Sequence, residues 1–378
     1  MEPVTHFLTG ACIGRSGLNR KTAYATLAAV LAAEAADIDI VWGLAGPVQE
    51  LRHHRGITHT FLAAPFLAAV VVAAVWLLDR CLEKRRLVKV AAAQSKDPGA
   101  PLRSNLQRQP IRWGWLYAAA LLASLSHLLL DWTNNYGLRP FFPFNARWYA
   151  GSFVFIAEPV AWALLLAAMV VPWLLGMADR EIGARRQPFR GRAWAIFALI
   201  GLFLLGSWRW AEHAQALAMV DNTQVAEAPV KRVAMEPYPV NPFRWHAILE
   251  TPDYFQTAEV DTRKGTIDSD PHRDLLYKPA STPATEAARR SPLGQVYLDW
   301  ASWAVVRDAG PLAIAPLDPP QLPPSRTWTT VQFNDLRFSY PFLGAGRPMP
   351  NPPPLSGWVY VVDGRDLAGQ ALNGKEQR

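Results

Sequence analysis

The feature that most constrains this chain is a set of four apolar stretches, each long enough to cross a bilayer as a helix. The hydrocarbon core of a membrane is about 30 Å thick and requires about 20 mostly apolar helical residues. The four predicted spans cover residues 60–78, 113–130, 153–177 and 193–208. A soluble protein can bury one such helix but not four, so we expect an integral membrane protein.

The part of the chain after residue 210 has a different character. It holds most of the 32 prolines and none of the long apolar runs. Alternating polar and apolar residues predict strands at residues 243–249, 254–260, 328–333 and 358–362. One amphipathic helix is indicated by the spacing of Leu293, Val296, Tyr297 and Trp300. We therefore predict an α-helical membrane domain over residues 1–210, followed by a β-rich soluble domain over residues 211–378.

The loops between the predicted spans indicate the orientation of the chain. Residues 80–112 hold nine Lys or Arg against two acids, and residues 178–192 hold five Arg against two acids. Short basic loops concentrate on the cytoplasmic side of a membrane. We therefore expect a multi-pass membrane protein with both basic loops in the cytoplasm and the C-terminal domain on the outer side. The net charge of +7 then reflects topology and does not predict nucleic-acid binding.

Residues 1–59 form two helical stretches that are shorter than a typical span. They cover about residues 3–14 and 22–36 and flank a basic, glycine-containing turn at residues 14–21. Two arrangements fit this pattern. One is a hairpin that dips into the membrane from the outer face with its turn toward the cytoplasm, and the other is a pair of helices that lies flat in the interface.

Polar side chains that can bind metal occur in these segments, where a membrane makes them costly. His127 and Asp131 lie four residues apart, so one helix face presents an imidazole and a carboxylate. Under the predicted topology, further His and carboxylate side chains reach the same leaflet, including Glu158 about 7–8 Å inside the third span. The predicted metal ligands are His6, Asp37, Asp39, His59, His127, Asp131 and Glu158.

Each of these residues has an ordinary structural explanation when it is taken alone. A single His near a helix end is usually a packing residue, and an Asp there is commonly a cap. Their coincidence at one level of the membrane is what indicates a site. By the same reasoning, His213, His246 and His272 have no partner nearby in the sequence, and we predict structural roles for them.

The donor types predict the metal and the chemistry. Mixed His and carboxylate ligands without Cys favour zinc, with manganese or iron as less favoured metals, and their number suggests two or more ions. Such sites are typical of phosphoester hydrolysis. We assign catalytic roles to Asp39, His54 and Arg55, and expect Arg55 and Arg139 to suit an anionic substrate. The expected partners are a membrane lipid and an anionic phosphoester. The alternatives are a metal-binding transporter or sensor without catalysis, or a scaffold whose β-rich domain recruits a partner.

These motifs resemble the YdjM-like family of inner-membrane, metal-dependent hydrolases. The resemblance covers about residues 1–210 and is carried by Thr5-His6, Asp37-x-Asp39, His54-Arg55-Gly56-Ile57-Thr58-His59-Thr60, His127-x3-Asp131, Tyr136-Gly137 and Glu158-Pro159. It implies a membrane hydrolase and, more distantly, the His/Asp zinc sites of bacterial phospholipase C and P1-type nucleases. Where the family tends to have Asp, this chain has Ser152 and Glu158. Glu can still ligate a metal, whereas Ser152 cannot replace a carboxylate.

Overall fold

The computed structural model describes residues 1–96, 109–184, 189–315, 317–340 and 353–377. It has a helical N-terminal region with four candidate spans, followed by a C-terminal domain of antiparallel sheets. Parts of both predicted basic loops, residues 97–108 and 185–188, lie outside the described residues.

In the described part of the chain, three short helices and then four long ones precede the sheets. They are α1 (Pro3–Arg15), α2 (Ala25–Glu34), α3 (Pro47–His53), α4 (Ala63–Lys96), α5 (Trp113–Thr133), α6 (Pro159–Glu181) and α7 (Arg192–Asp221). The last four are long and apolar enough to cross a membrane, which confirms the four predicted spans. Short 3-10 helices at Ala35–Ala45 and Ile57–His59 follow α2 and precede α4.

The third span begins later than its hydropathy predicts. Helix α6 starts at Pro159, because proline at the first helical position lacks only an N–H that would have no partner there. Glu158 caps this helix, and its Oε1 accepts a hydrogen bond from the backbone N–H of Val160 at 3.3 Å. The expectation that Glu158 lies 7–8 Å inside the span is therefore wrong. The carboxylate lies at the helix start, where the helix dipole favours a negative charge.

The short helices α1 and α2 form a hairpin inside the helical region. Gly10 and Gly14 of α1 approach α2 so closely that a Cβ on Gly14 would lie 2.4 Å from the Cα of Thr26. The alanines of α2 that face inward are completely buried in one cluster with residues of α5. Since α1 has 13 residues and α2 has 10, each is about 15–20 Å long and too short to span the bilayer alone. The two helices thus pack as a hairpin against α5, and the depth of this hairpin in the membrane stays a prediction.

The basic turn of the hairpin lies at one end of the helical region. The backbone N–H of Ala23 donates to the carbonyl of Pro110 at 3.2 Å, just before α5. At the start of α7, Arg192 Nε donates to the carbonyl of Ser16 at 3.0 Å. The turn therefore lies at the same end as the starts of α5 and α7. The other ends of α1, α2, α4 and α5 meet at the opposite face.

The C-terminal domain contains two five-stranded antiparallel sheets. The first has the order β1-β2-β3-β4, with β5 also paired to β3, and the second has the order β10-β9-β8-β7-β6. The strands are β1 (Arg232–Pro237), β2 (Arg244–Glu250), β3 (Tyr254–Asp261), β4 (Thr266–Asp268), β5 (Leu275–Tyr277), β6 (Ala304–Asp308), β7 (Trp328–Asp335), β8 (Gly357–Val362), β9 (Asp366–Leu372) and β10 (Lys375–Glu376). Helices α8 (Pro283–Arg289) and α9 (Pro292–Trp300) lie between β5 and β6. The four predicted strands and the predicted helix are all confirmed.

The chain divides into two compact units that do not follow the predicted boundary everywhere. One unit comprises Met1–Ile38, Ile57–Ala150 and Ile156–Ser207. The other comprises Asp39–Gly56, Gly151–Phe155 and Trp208–Arg378. Residues 39–56 thus pack with the C-terminal sheets. The side chain of Gln377 holds this segment, since its Nε2 donates to the carbonyl of Ala45 at 3.0 Å and its Oε1 accepts from the N–H of Val48 at 2.9 Å.

Candidate metal centre

Four helix ends bring the central His and Asp side chains together. His127 and Asp131 lie in the last turns of α5, one helical turn apart. His59 lies in the 3-10 helix before α4, and Asp37 lies in the 3-10 helix after α2. His6 lies in the first half of α1. Because α2 and α5 end where α1 and α4 begin, residues distant in sequence reach one place.

The first group of possible ligands is His59, His127 and Asp131. Their candidate donor atoms all lie within 4.8 Å of one another. The Nε2 atoms of His59 and His127 are 3.4 and 3.3 Å from Oδ2 of Asp131, and the two ring centroids are 4.9 Å apart. Donor atoms this close can bind one ion, since a zinc–nitrogen bond is about 2.0–2.1 Å long.

Asp37 and His6 extend this cluster on either side. Oδ1 of Asp37 lies 3.2 Å from Nε2 of His59 and 3.7 Å from Nε2 of His127. Nε2 of His6 lies 3.3 Å from the other oxygen of Asp131, Oδ1, and its ring stacks on that of His127 with centroids 3.8 Å apart. His6, Asp37 and His127 form a second group whose donor atoms lie within 4.8 Å of one another. Asp131 thus presents one oxygen to His6 and the other to His59 and His127.

Hydrogen bonds fix which nitrogen of each imidazole faces the cluster. Nδ1 of His127 is 2.6 Å from the carbonyl of Ala33, which can only accept, so Nδ1 carries the proton and Nε2 presents a lone pair. Nδ1 of His59 lies 3.1 Å from the hydroxyl of Thr58, which can donate or accept, so this contact orients the ring and turns Nε2 toward the cluster. Metal-bound histidines are commonly oriented by a hydrogen bond of this kind on the other ring nitrogen.

The burial of the cluster tests whether it suits a cation. The side chains of His6, His59, His127 and Asp131 are completely buried, whereas that of Asp37 is 23% exposed. Among the described residues, the buried Nε2 of His127 makes no hydrogen bond, although Oδ2 of Asp131 lies 3.3 Å away. The α-amino group of Met1 also contacts Asp131. Imidazole nitrogens and carboxylate oxygens are the donors that divalent cations such as zinc bind in proteins, so the residue types of the cluster fit a divalent cation.

Asp39 makes different contacts from Asp37. Its Oδ1 lies 3.2 Å from Nδ1 of His54, and its Oδ2 accepts the backbone N–H of Arg55 at 2.8 Å. In a 3-10 helix each residue turns the chain by about 120°, so residues two apart point in different directions. The groups found close enough to share an ion, within the described part of the chain, contain neither Asp39 nor Glu158. Asp39 instead forms a carboxylate–imidazole pair with His54.

The remaining predicted residues lie in other surroundings. The guanidinium of Arg139 stacks over the rings of Trp148 and Phe142 at 4.7 and 5.2 Å. Arg55 is buried and has a positive φ of 51°. His246 is buried in the C-terminal domain beside Tyr340, where burial lowers its pKa to about 4.

Sequence reasoning did not assign Thr58 or the carbonyl of Ala33, both of which orient the central imidazoles. Thr58 could have been found, because it precedes His59 within the motif and carries a hydroxyl.

Comparison of the sequence with known proteins shows which family the chain belongs to. The sequence profile of the YdjM inner membrane protein family matches residues 1–216. The chain belongs to the YdjM inner membrane protein family. The matched region of this YdjM family member contains all seven predicted ligands and the Asp39–His54 pair, whereas most of the C-terminal domain lies beyond it.

This YdjM family member is also similar to the uncharacterized protein YfhP of Bacillus subtilis (strain 168). The two are 26% identical over 184 residues, which cover 47% of this chain and 47% of YfhP. The chain thus spans about half the length of this relative. No solved structure matches the chain.

Proposed function

We propose that the protein is a membrane-bound, metal-dependent hydrolase of a phospholipid or another membrane-associated phosphoester. The observation that carries the proposal is a cluster of three buried imidazoles, one buried carboxylate and one partly exposed carboxylate at the ends of α1, α2, α4 and α5. Within it, two overlapping groups of three side chains have donor atoms close enough to share an ion. Zinc suits these donors best, with manganese or iron less favoured. A bound divalent ion supplies Lewis-acid chemistry to a phosphoester.

His59, His127 and Asp131 would hold the ion, and Asp37 and His6 would complete the set. A tetrahedral zinc site uses four ligands. The five donor side chains exceed that number, and the two oxygens of Asp131 face different imidazoles. This arrangement favours two or more ions over a single one.

The Asp39–His54 pair supplies the proton transfer in this proposal. An ionised carboxylate can only accept, so Nδ1 of His54 donates to Asp39, and Nε2 is the nitrogen of this tautomer that can accept a proton. The side chain of His54 is 29% exposed, so a substrate or a water molecule can reach it. A carboxylate that orients an imidazole in this way is the usual support of a general base. Arg55, the next residue, would bind the negative charge of the substrate.

Two adjacent histidines provide the test. His54→Ala should keep the metal and lose hydrolysis of phospholipid vesicles by about 100-fold or more, the usual contribution of a general base. His53→Ala is the matched control, because its ring stacks on Trp42 with centroids 4.0 Å apart, and it should retain both properties. His127→Ala should lose both metal and hydrolysis. A protein with a full complement of metal but no hydrolysis of any phosphoester would contradict the proposal and support a metal-binding transporter or sensor.

We also propose that the C-terminal domain lies on the outer side of a bacterial inner membrane. The support is the basic character of the hairpin turn and of the loops at the starts of α5 and α7. Reporter fusions at the C-terminus should therefore be active in the periplasm. A reporter that is active only in the cytoplasm would reverse the orientation.

A further inference from the structure

Large apolar side chains are exposed around the metal centre in segments that are not part of any span. We name this surface the apolar rim; its members are Ile38, Ile57, Phe61, Leu62, Phe141 and Phe144. Phe144, at the tip of the loop that follows α5, is 85% exposed. Phe61 and Phe141 hold the loop to the start of α4, since their ring centroids are 5.6 Å apart and the N–H of Phe61 donates to the carbonyl of Pro140 at 3.0 Å.

The apolar rim continues the exposed stripe of the first span. This stripe consists of four exposed side chains, that of Leu62 just before α4 and those of Phe66, Val70 and Leu77 on the helix. They follow one another at intervals of four, four and seven residues, so they share one helix face. On a spanning helix such a face contacts lipid. The stripe therefore reaches the rim at Leu62, three residues after His59. The lipid-facing surface of α4 therefore ends beside the metal centre.

The loop that carries Phe144 has the residue pattern of a membrane interface. Arg147 lies over the ring of Tyr149 at 5.5 Å, and Phe141 contacts the same ring with centroids 5.5 Å apart. Aromatic rings and Arg side chains at one level are typical of the zone between hydrocarbon and headgroups, where the ring is anchored and the cation meets lipid phosphate. Phe144 lies beyond this pair at the tip of the loop and would reach the acyl chains.

The exposed edge of the metal centre opens beside this rim. Asp37 is the accessible member of the cluster, and the next residue, Ile38, is 64% exposed. Apolar side chains this exposed are unfavourable in water and would be stabilised by burial in hydrocarbon.

We propose that the apolar rim is inserted in the bilayer and binds the acyl chains of membrane lipid, so that Asp37 faces the lipid headgroups. The lipid as substrate rests on the proposed hydrolase function, whereas the insertion of the rim does not. The entry of a substrate would then be lateral, from the bilayer, with its headgroup passing Ile38.

Spin-label accessibility tests this inference without any turnover. The full chain carrying Cys81→Ser, which removes the exposed thiol, would receive one new cysteine at a time and be reconstituted in vesicles of phosphatidylethanolamine and phosphatidylglycerol. Labels at Phe144→Cys and Ile38→Cys should collide more often with oxygen than with a water-soluble nickel chelate. Val70→Cys, on the exposed face of α4, is the lipid control, and Lys264→Cys, 74% exposed in the C-terminal domain, is the water control.

The outcomes separate the two proposals. Oxygen-dominated collisions at both positions, as at Val70→Cys, support the inference whether or not the protein hydrolyses lipid. Nickel-dominated collisions at either position, as at Lys264→Cys, would overturn it. If Phe144→Cys fails to fold, Phe141→Cys reports on the same loop with the same expected sign. Failure of the proposed hydrolase function would appear only in the activity assays and would leave this result standing.

Discussion

Replacing Asp131 by Asn tests the cluster most sharply, because the substitution preserves size and removes one charge. The carboxylate lies 3.3–3.4 Å from Nε2 of His6, His59 and His127, so a bound ion would lose a charged ligand. Loss of a residue that merely orients a ligand typically costs 10–100-fold in metal affinity. Loss of the central carboxylate should therefore weaken zinc binding by at least about 100-fold, or about 3 kcal/mol.

The assay is competition with a zinc chelator, using the purified full chain in detergent. The matched control is Ser126→Ala on the same helix, whose hydroxyl donates to the carbonyl of Ala123 at 2.8 Å. This control should bind zinc within about threefold of the unmodified chain, less than one tenfold step of 1.4 kcal/mol. If Asp131→Asn folds and also stays within that limit, Asp131 is not a ligand, and the reasoning from the convergence of α5 with His59 and His6 fails.

Three further substitutions test separate parts of the account. Thr58→Val should weaken zinc binding by about 10–100-fold, since it removes the hydroxyl that orients His59, and the same competition assay would measure this. His246→Gln should make stability less dependent on pH. Burial lowers the pKa of His246 to about 4 from an unfolded value near 6.5, so stability is lost as the pH falls through that window, by about 2 kcal/mol between pH 7 and 5. The measurement is the free energy of unfolding by denaturant at pH 7 and pH 5. An equal decrease in both proteins would contradict the prediction. Gly14→Ala should destabilise the helical region by about 1–3 kcal/mol, because its Cβ would overlap the backbone of α2, whereas Gly176→Ala, with open space around its Cβ, should not.

The spans and half of the site could be read from local sequence patterns. Hydropathy alone found the four long helices, because bilayer thickness sets their length. The i, i+4 spacing placed His127 and Asp131 on one face of α5 without knowledge of the fold. Hydropathy could not place the start of α6, since that depends on Pro159 and the cap by Glu158. Strand β9 was not predicted, because Asp366, Ala368 and Gly369 have low β propensity and the strand forms through its pairing with β8.

The different contacts of Asp37 and Asp39 could not be predicted either. Residues two apart are separated by about 160° around an α-helix and by about 120° around a 3-10 helix, so in either form the two carboxylates point in different directions. The groups that each carboxylate contacts depend on packing that is distant in sequence. Asp39 belongs with residues 39–56, which are held by Gln377 more than 300 residues away.

The central claim is that His59, His127 and Asp131 bind one metal ion, and anomalous diffraction at the zinc edge tests it most directly. Crystals of the full chain grown with zinc should show an anomalous peak about 2.0–2.2 Å from Nε2 of His59, Nε2 of His127 and Oδ2 of Asp131. The peak should be absent from crystals of Asp131→Asn grown in the same way. Zinc that binds only elsewhere, for example at His272 on the surface of the C-terminal domain, would contradict the account.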